Sequence, residues 1–302
     1  MSRFSACLWF DTEAEKAAQF YTSFLPRSQI TGRTHYTEAG REFHGRQPGS
    51  IMTVDFAVGG FGFSALNGGP DFSPNPSISF FIFCGSEGEV DRCWEALADG
   101  GTVLMPLGEY PFSRRYGWIE DRFGVSWQPI VADDADGRLI VPSMLFTGKV
   151  CGKAEEAIGL YTTLFSDSEV GEIARYPASQ PPDREGTIMY ADFRLESQWF
   201  AVMDSALDHK FGFNEGISLM VDARTQDEID RLWSTLSADP QAEQCGWLKD
   251  RYGVSWQIFP VGEMNDMLRQ QDRAAVQRVM NAMFRMKKID LAALRRAFGD
   301  AT

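Results

Sequence analysis

Two stretches of twelve residues carry a serine, a glutamine and an aspartate-arginine pair at matching spacing. They are Gly117-Trp118-Ile119-Glu120-Asp121-Arg122-Phe123-Gly124-Val125-Ser126-Trp127-Gln128 and Gly246-Trp247-Leu248-Lys249-Asp250-Arg251-Tyr252-Gly253-Val254-Ser255-Trp256-Gln257. Side chains alternate along a strand, so Ser126 and Gln128 share one face and Trp127 takes the other; Ser255, Gln257 and Trp256 divide likewise. Asp121-Arg122-Phe123-Gly124 reads as a tight hairpin turn in which glycine supplies a positive φ. That assigns Asp121, Arg122 and their repeats to turn structure. Asp55 and Asp192 read first as solvated, outward carboxylates, with a pocket acid or base as the alternative. Arg114 and Arg115 stand among aromatics in Tyr110-Pro111-Phe112-Ser113-Arg114-Arg115-Tyr116, a grouping that suits an anionic, planar ligand or a plain exposed loop.

The two segments are one feature of an internal duplication, nine of their twelve positions being identical. Ile51-Met52-Thr53-Val54-Asp55-Phe56 returns as Ile188-Met189-Tyr190-Ala191-Asp192-Phe193, and Glu89-Val90-Asp91-Arg92-Cys93-Trp94 as Glu228-Ile229-Asp230-Arg231-Leu232-Trp233. The fold question therefore reduces to one unit of about 120 residues. The offset falls from 140 to 129 along the repeat, chiefly through ten extra residues before Gly117. Such insertions belong in loops.

Each unit reads as βαβββ twice over. Thr12 with Glu15 predicts a capping box before Ala14, Ala17, Ala18, Tyr21 and Phe24, which recur at helical spacing; Ala154, Ala157, Ile158 and Tyr161 take the same phase. Ser86 with Glu89 and Thr225 with Glu228 predict two further caps. Short β-rich runs lie between, among them Leu8 to Phe10, Ile51 to Val58, Phe61 to Leu66, Ser77 to Phe83, Thr102 to Met105, Tyr116 to Glu120 and Val125 to Ile130.

The 302 residues, 44% of them hydrophobic, suffice for two cores. No run approaches the ~18 apolar residues of a membrane span. Met1-Ser2-Arg3-Phe4 lacks the basic start and long apolar region of a signal peptide, so a cytoplasmic location is expected. A net charge of -13 disfavours nucleic acid and leaves a small molecule or a protein as partner. Five cysteines with no Cys-x-x-Cys spacing read as reduced, mostly packed thiols. The three histidines, His35, His44 and His209, show no paired ligand spacing and suit loops or strand ends.

The repeated Gly-Trp-x-x-Asp-Arg-x-Gly-Val-Ser-Trp-Gln, the βαβββ order, the alanine- and tyrosine-bearing first helix and Asn67-Gly68-Gly69-Pro70 together resemble the PhnB-like branch of the vicinal oxygen chelate superfamily. Glyoxalase I, extradiol dioxygenases and bleomycin-resistance proteins belong to that superfamily. The resemblance covers nearly the whole chain. It implies an α+β fold of tandem domains, residues 1–136 and 142–262, with four βαβββ modules in two cup-shaped sheets, like a dimer fused into one polypeptide. Metal-using relatives place inward ligands on the first and last strands of each module. The matching positions are approximately Ala6, Ala65, Ser77 and Gln128, then Met144, Val202, Gly216 and Gln257. Only the glutamines offer a useful donor, and they are neutral, so the expectation is no metal and no cofactor.

If Gln128 and Gln257 face inward as those positions imply, Ser126 and Ser255 do too. Trp9, Phe63 and Phe80 are candidates for the first pocket's wall or for core packing. The arginine-bearing loop exists only in the first half and predicts that the first cup binds better than the second. Proteins of this branch often carry a ubiquinone-biosynthesis methyltransferase name. Val58-Gly59-Gly60-Phe61-Gly62, however, sits between two strands and opens no helix, unlike a nucleotide cradle. Residues 263–302 carry eight basic and five acidic residues. Val276, Met280 and Met283 form an apolar stripe there, and Asp290 caps a last helix that stops at Gly299. This tail is expected to pack on the acidic body or across a dimer rather than on a membrane. The expectation is a monomeric pseudo-dimer or a homodimer that binds a small organic ligand without metal. The alternatives are a metal-dependent lyase or dioxygenase, a methyltransferase, and an interaction scaffold whose cups are filled by its own side chains.

Overall fold

A computed structural model describes residues 2–132 and 137–299; the first domain's expected end at 136 and the tail's at 302 lie outside the described residues. The first half runs β1 (Phe4–Phe10), α1 (Ala14–Phe24), β2 (Ser28–His35), α2 (Arg41–His44), β3 (Ile51–Val58) and β4 (Phe61–Asn67). It continues with β5 (Ile78–Cys84), α3 (Glu87–Ala98), β6 (Thr102–Tyr110), β7 (Ser113–Glu120) and β8 (Ser126–Val131). The second half repeats the plan: β9 (Ile140–Thr147), α4 (Ala154–Leu164), β10 (Ser168–Arg175), β11 (Ile188–Leu195), β12 (Gln198–Ser205), β13 (Ile217–Asp222), α5 (Gln226–Leu236), β14 (Trp247–Lys249) and β15 (Ser255–Phe259). Three tail helices follow, α6 (Val261–Leu268), α7 (Arg273–Phe284) and α8 (Leu291–Gly299).

The modules pair across the duplication. Module one (β1–β4) joins module four (β13–β15) in a seven-stranded sheet ordered β14-β15-β13-β1-β4-β3-β2. Module three joins module two in an eight-stranded sheet ordered β10-β11-β12-β9-β5-β8-β7-β6. Apart from the extra β6, the two sheets follow one plan. Registers agree as well: Cys7 pairs with Ser64 as Ser143 pairs with Ala201, and Met220 with Gln257 as Phe81 with Gln128. Each cup thus draws on both halves of the chain.

Alternation assigns the two faces. Phe4, Ala6, Leu8 and Phe10 point to the helices and are buried, whereas Ser5, Cys7 and Trp9 point into the cup. The caps at Ser86 and Thr225 form as expected, each oxygen accepting from the amide three residues on. The cap at Thr12 does not. Asn67 Oδ1, arriving from β4, accepts from the Ala14 amide at 2.9 Å and takes over the N-terminus of α1. The expected loop at 110–116 is instead the tip of a long β6–β7 hairpin, whose rings Tyr110, Phe112 and Tyr116 pack within 5.0 to 5.6 Å of one another.

The turn residues Asp121 and Asp250 do more than turn. Asp121 is buried and accepts from Tyr21 Oη at 2.8 Å, Trp127 Nε1 at 2.9 Å and the amides of Phe123 and Val125 at 2.8 and 3.1 Å. Asp250 repeats the set with Tyr161 at 2.6 Å, Trp256 at 3.0 Å and the amides of Tyr252 and Val254 at 2.9 and 3.0 Å. Burial raises both carboxyls above their ordinary range, and the four donors oppose that shift. Asp250→Asn offers one acceptor oxygen where four donors converge, and should cost about 3 kcal/mol. The check is a lower urea midpoint at unchanged slope; an unchanged midpoint would remove the hub from the account of stability.

Candidate functional site

The concave face of the seven-stranded sheet encloses a cavity of about 840 Å³. Its floor is Cys7 and Trp9 from β1, Asp55 from β3, Gly62, Ser64 and Leu66 from β4, Met220 from β13 and Gln257 from β15. Trp247 and Phe72 stand at the side, each edge-on to Trp9 with centroids 5.8 and 5.1 Å away. Trp9 is pinned by its own indole, which donates to the Gly69 carbonyl at 2.8 Å. Leu268, Met283 and Phe284 of the tail form the roof.

Two polar groupings interrupt this apolar wall. Gln257 Nε2 donates to Ser218 Oγ at 2.8 Å beside Cys7, whose thiol burial pushes up to about 12. Cys7 is therefore a thiol at neutral pH and no nucleophile. Opposite, Asp55 accepts from Ser64 Oγ at 2.7 Å and from Arg269 Nη2 at 2.6 Å. Arg269 follows α6 and lies across Gly32, where an added Cβ would fall 2.1 Å from the guanidinium. This contact fastens the tail to the rim of the cup.

The other cup is full. Phe81, Tyr116, Val141 and Ala201 are buried there, with Phe83, Met105, Trp118, Ile130, Tyr190, Trp199 and Met203 packed around them. Register shows what differs. Trp199 has Gly62 as its counterpart, Val141 has Ser5, Phe81 has Met220 and Tyr116 has Cys245. Smaller residues at those four positions leave the cup of the seven-stranded sheet open.

The structure redistributes the candidate residues. Trp9 and Gln257 line the cavity. Phe63 touches its border, but its ring stacks on Phe56 at 4.9 Å and meets Phe80 edge-on at 5.0 Å; both rings are core under α1. Ser126 and Gln128 face the filled cup, bonded to Trp118 Nε1 and to Ser79 and Tyr116. Ser255 is buried in the open cup's sheet, and its Oγ has no hydrogen-bond partner. Arg114 and Arg115 turn away to Glu87 and Asp91 of α3, at 3.4 and 2.7 Å. Their hairpin belongs to the filled cup, because module two sits in the eight-stranded sheet. The expectation that it would favour a ligand in its own cup is corrected accordingly.

The presumed ligand positions were one residue out on several strands. Ala6, Ala65, Met144 and Val202 face the helices, because a slip of one residue exchanges faces. In the open cup the inward set is Cys7, Ser64, Ser218 and Gln257, all neutral. A hard divalent cation needs several anionic or carbonyl oxygens, and this set does not fit one. Among the described residues no three His, Cys, Asp or Glu side chains cluster as ligands. Asp55 departs from the expected outward, solvated carboxylate. It lies inside, on the strand face opposite Val54 and Phe56, an alternation that could have placed it. The roof residues of the tail and Trp247 carried no comparable signal.

The model of the 3-demethylubiquinone-9 3-methyltransferase family matches residues 2–130 and again 138–259. The chain belongs to that family. Among solved structures, a putative 3-demethylubiquinone-9 3-methyltransferase, PhnB protein, from Bacillus cereus is 35% identical over 42% of this chain and 98% of its own, with a TM-score of 0.39. Glyoxalase I from Zea mays is 9% identical, covers 87% of this chain and 93% of its own, and has a TM-score of 0.53. A putative dioxygenase from Bacillus subtilis is 10% identical over 84% and 83%, with a TM-score of 0.51. These last two share the fold. Among curated proteins there is no match. Within the 3-demethylubiquinone-9 3-methyltransferase family fold, the tandem α+β cups expected from the sequence are therefore present, with the modules exchanged between halves.

The Asp55 carboxyl is raised by burial, against the pull of Ser64 and Arg269. Two effects of opposite sign follow. A raised carboxyl contributes to global stability at low pH, and that contribution is lost as pH rises through the folded value. The ion pair to Arg269 needs the ionised form and breaks as pH falls through the same value. Amides of α6 should therefore lose protection, measured relative to their intrinsic exchange rate, on mild acidification while the global fold persists. In Asp55→Asn that protection should be low already at neutral pH; equal protection in both proteins at both pH values would refute the latch.

Proposed function

We propose that this protein binds a small, largely apolar organic ligand, without a metal, in the cup of the seven-stranded sheet beneath the tail helices. One observation carries the reading: of two cups built on the same register, one is packed with its own aromatic side chains and the other holds a cavity of about 840 Å³. Concave, mostly apolar spaces with a few convergent polar groups are where small molecules bind. The neutral donor set supports a metal-free site. Methyl transfer, which the family's description names, would need a place for a methyl donor. Gly59 and Gly60 form the tight β3–β4 turn at φ 57° and 93° and open no helix to receive one. All five cysteines are free, which suits a cytoplasmic setting, and no helix of the described residues is long and apolar enough to cross a membrane. The two-sheet arrangement supports a monomeric pseudo-dimer.

Native mass spectrometry of the gently purified protein tests the proposal. A retained organic adduct is expected in the wild type and should be lost in Gly62→Trp, which reproduces the filling seen at Trp199. A stoichiometric divalent ion, or saturable binding of S-adenosylmethionine, would overturn it.

A further inference from the structure

The filled cup displays what the open one lacks. Tyr116 sends its ring into the cup, and its hydroxyl donates to Gln128 Oε1 at 2.5 Å. The carboxamide is fixed for this role from the other side, Gln128 Nε2 donating to Ser79 Oγ at 2.7 Å. Phe112 and Tyr110 meet the ring edge-on at 5.0 and 5.3 Å. Trp118 completes the network by donating to Ser126 Oγ at 2.7 Å. The cup thus holds a phenol supplied by the chain itself.

In the open cup the same carboxamide is fixed in the same way, Gln257 to Ser218 at 2.8 Å, but the phenol is missing. Cys245 occupies Tyr116's position. Its backbone takes φ 51°, and its small side chain stays at the cavity wall with the thiol directed at the Met283 carbonyl at 3.4 Å. Trp247 leans on Trp9 instead of donating to Ser255, which leaves Ser255 Oγ buried and unpartnered. The cations around the cavity are already engaged by carboxylates, Arg3 by Glu228, Arg224 by Asp222, Lys249 by Glu215 and Arg269 by Asp55, so a bound anion would have to compete for each of them. An anionic ligand is disfavoured there.

Resting on the binding function proposed above, we infer that the ligand is a neutral, planar aromatic compound bearing a hydroxyl group, which replaces the missing tyrosine by stacking against Trp9 and Trp247 and donating to Gln257 Oε1. Three probes of one ring size separate the contributions: 2-naphthol, naphthalene and 2-naphthoate, followed by quenching of tryptophan fluorescence. The expected result is that 2-naphthol binds about fivefold or more tighter than naphthalene, with 2-naphthoate weakest. Gln257→Met, close in size, should bring 2-naphthol to the level of naphthalene. Naphthalene binding as well as 2-naphthol, with both lost in Gly62→Trp, would overturn the hydroxyl assignment and leave the cavity's binding role standing. No binding of any probe would overturn both. Should Gln257→Met fail to fold, the ranking of the three probes on the wild type decides.

Discussion

Two buried carboxylates hold this molecule together. Asp121 sits in the β7–β8 turn of the eight-stranded sheet, yet its tyrosine donor comes from α1, which packs on the seven-stranded sheet. Asp250 sits in the β14–β15 turn of the seven-stranded sheet and takes its tyrosine from α4, over the eight-stranded one. Each hub therefore ties together modules that do not share a sheet. A buried charge is tolerated only when its lone pairs are met, and four donors meet them in both places. With Trp127 and Trp256 both donating to a hub and filling the space beneath the helices, the relative placement of the two sheets is fixed by hydrogen-bond geometry as well as by apolar contact such as that of Phe4 with Phe165 and Phe200.

Duplication supplied two copies of this frame, and the helix-facing residues have kept it while the cup-facing residues have diverged. Asp121 and Trp127 recur unchanged as Asp250 and Trp256, and on the cup side only the serine and glutamine of the motif, Ser126 and Gln128, are kept, as Ser255 and Gln257, among the positions compared. The divergence is in size: tryptophan against glycine, valine against serine, tyrosine against cysteine. Because the scaffold is shared, these substitutions can exchange a packed interior for an open cavity without moving a strand. Packing of the filled cup contributes apolar burial that the open cup forgoes, so the emptiness of the latter has a stability cost that function explains more readily than folding does.

Much of this was legible in the residues. The repeat, the strand and helix order and the caps at Ser86 and Thr225 follow from period and spacing, and the inward glutamines from the family resemblance. Two things were not. The pairing of modules across the halves depends on β1 meeting β13 and β5 meeting β9, long-range choices that no local pattern encodes. The inward face of β1 and β4 was misplaced by one residue, because both faces of those strands carry small residues and the alternation is weak around Ala6 and Ala65. The importance of Asp121 was hidden for a related reason: a turn aspartate is usually solvated, and only the tertiary arrival of Tyr21 turns it into a buried hub.

The tail's place over one cup follows from topology. After the last strand of each half, an arginine meets the equivalent strand aspartate of the cup. Arg138, after β8, reaches Asp192 at 3.5 Å and lies over the rings of Phe83 and Trp199. Arg269, after β15, reaches Asp55 at 2.6 Å. Arg138 is followed closely by β9, so the chain there re-enters the sheet. The chain after Arg269 begins no further strand among the described residues. It continues into helices whose own apolar stripe, Met280 and Met283, packs at the rim, and helices about 10 Å thick stand higher than a crossing strand. The roof of the open cavity thus follows from the chain's continuing into helices after β15, while the smaller cup-facing residues supply the space beneath it.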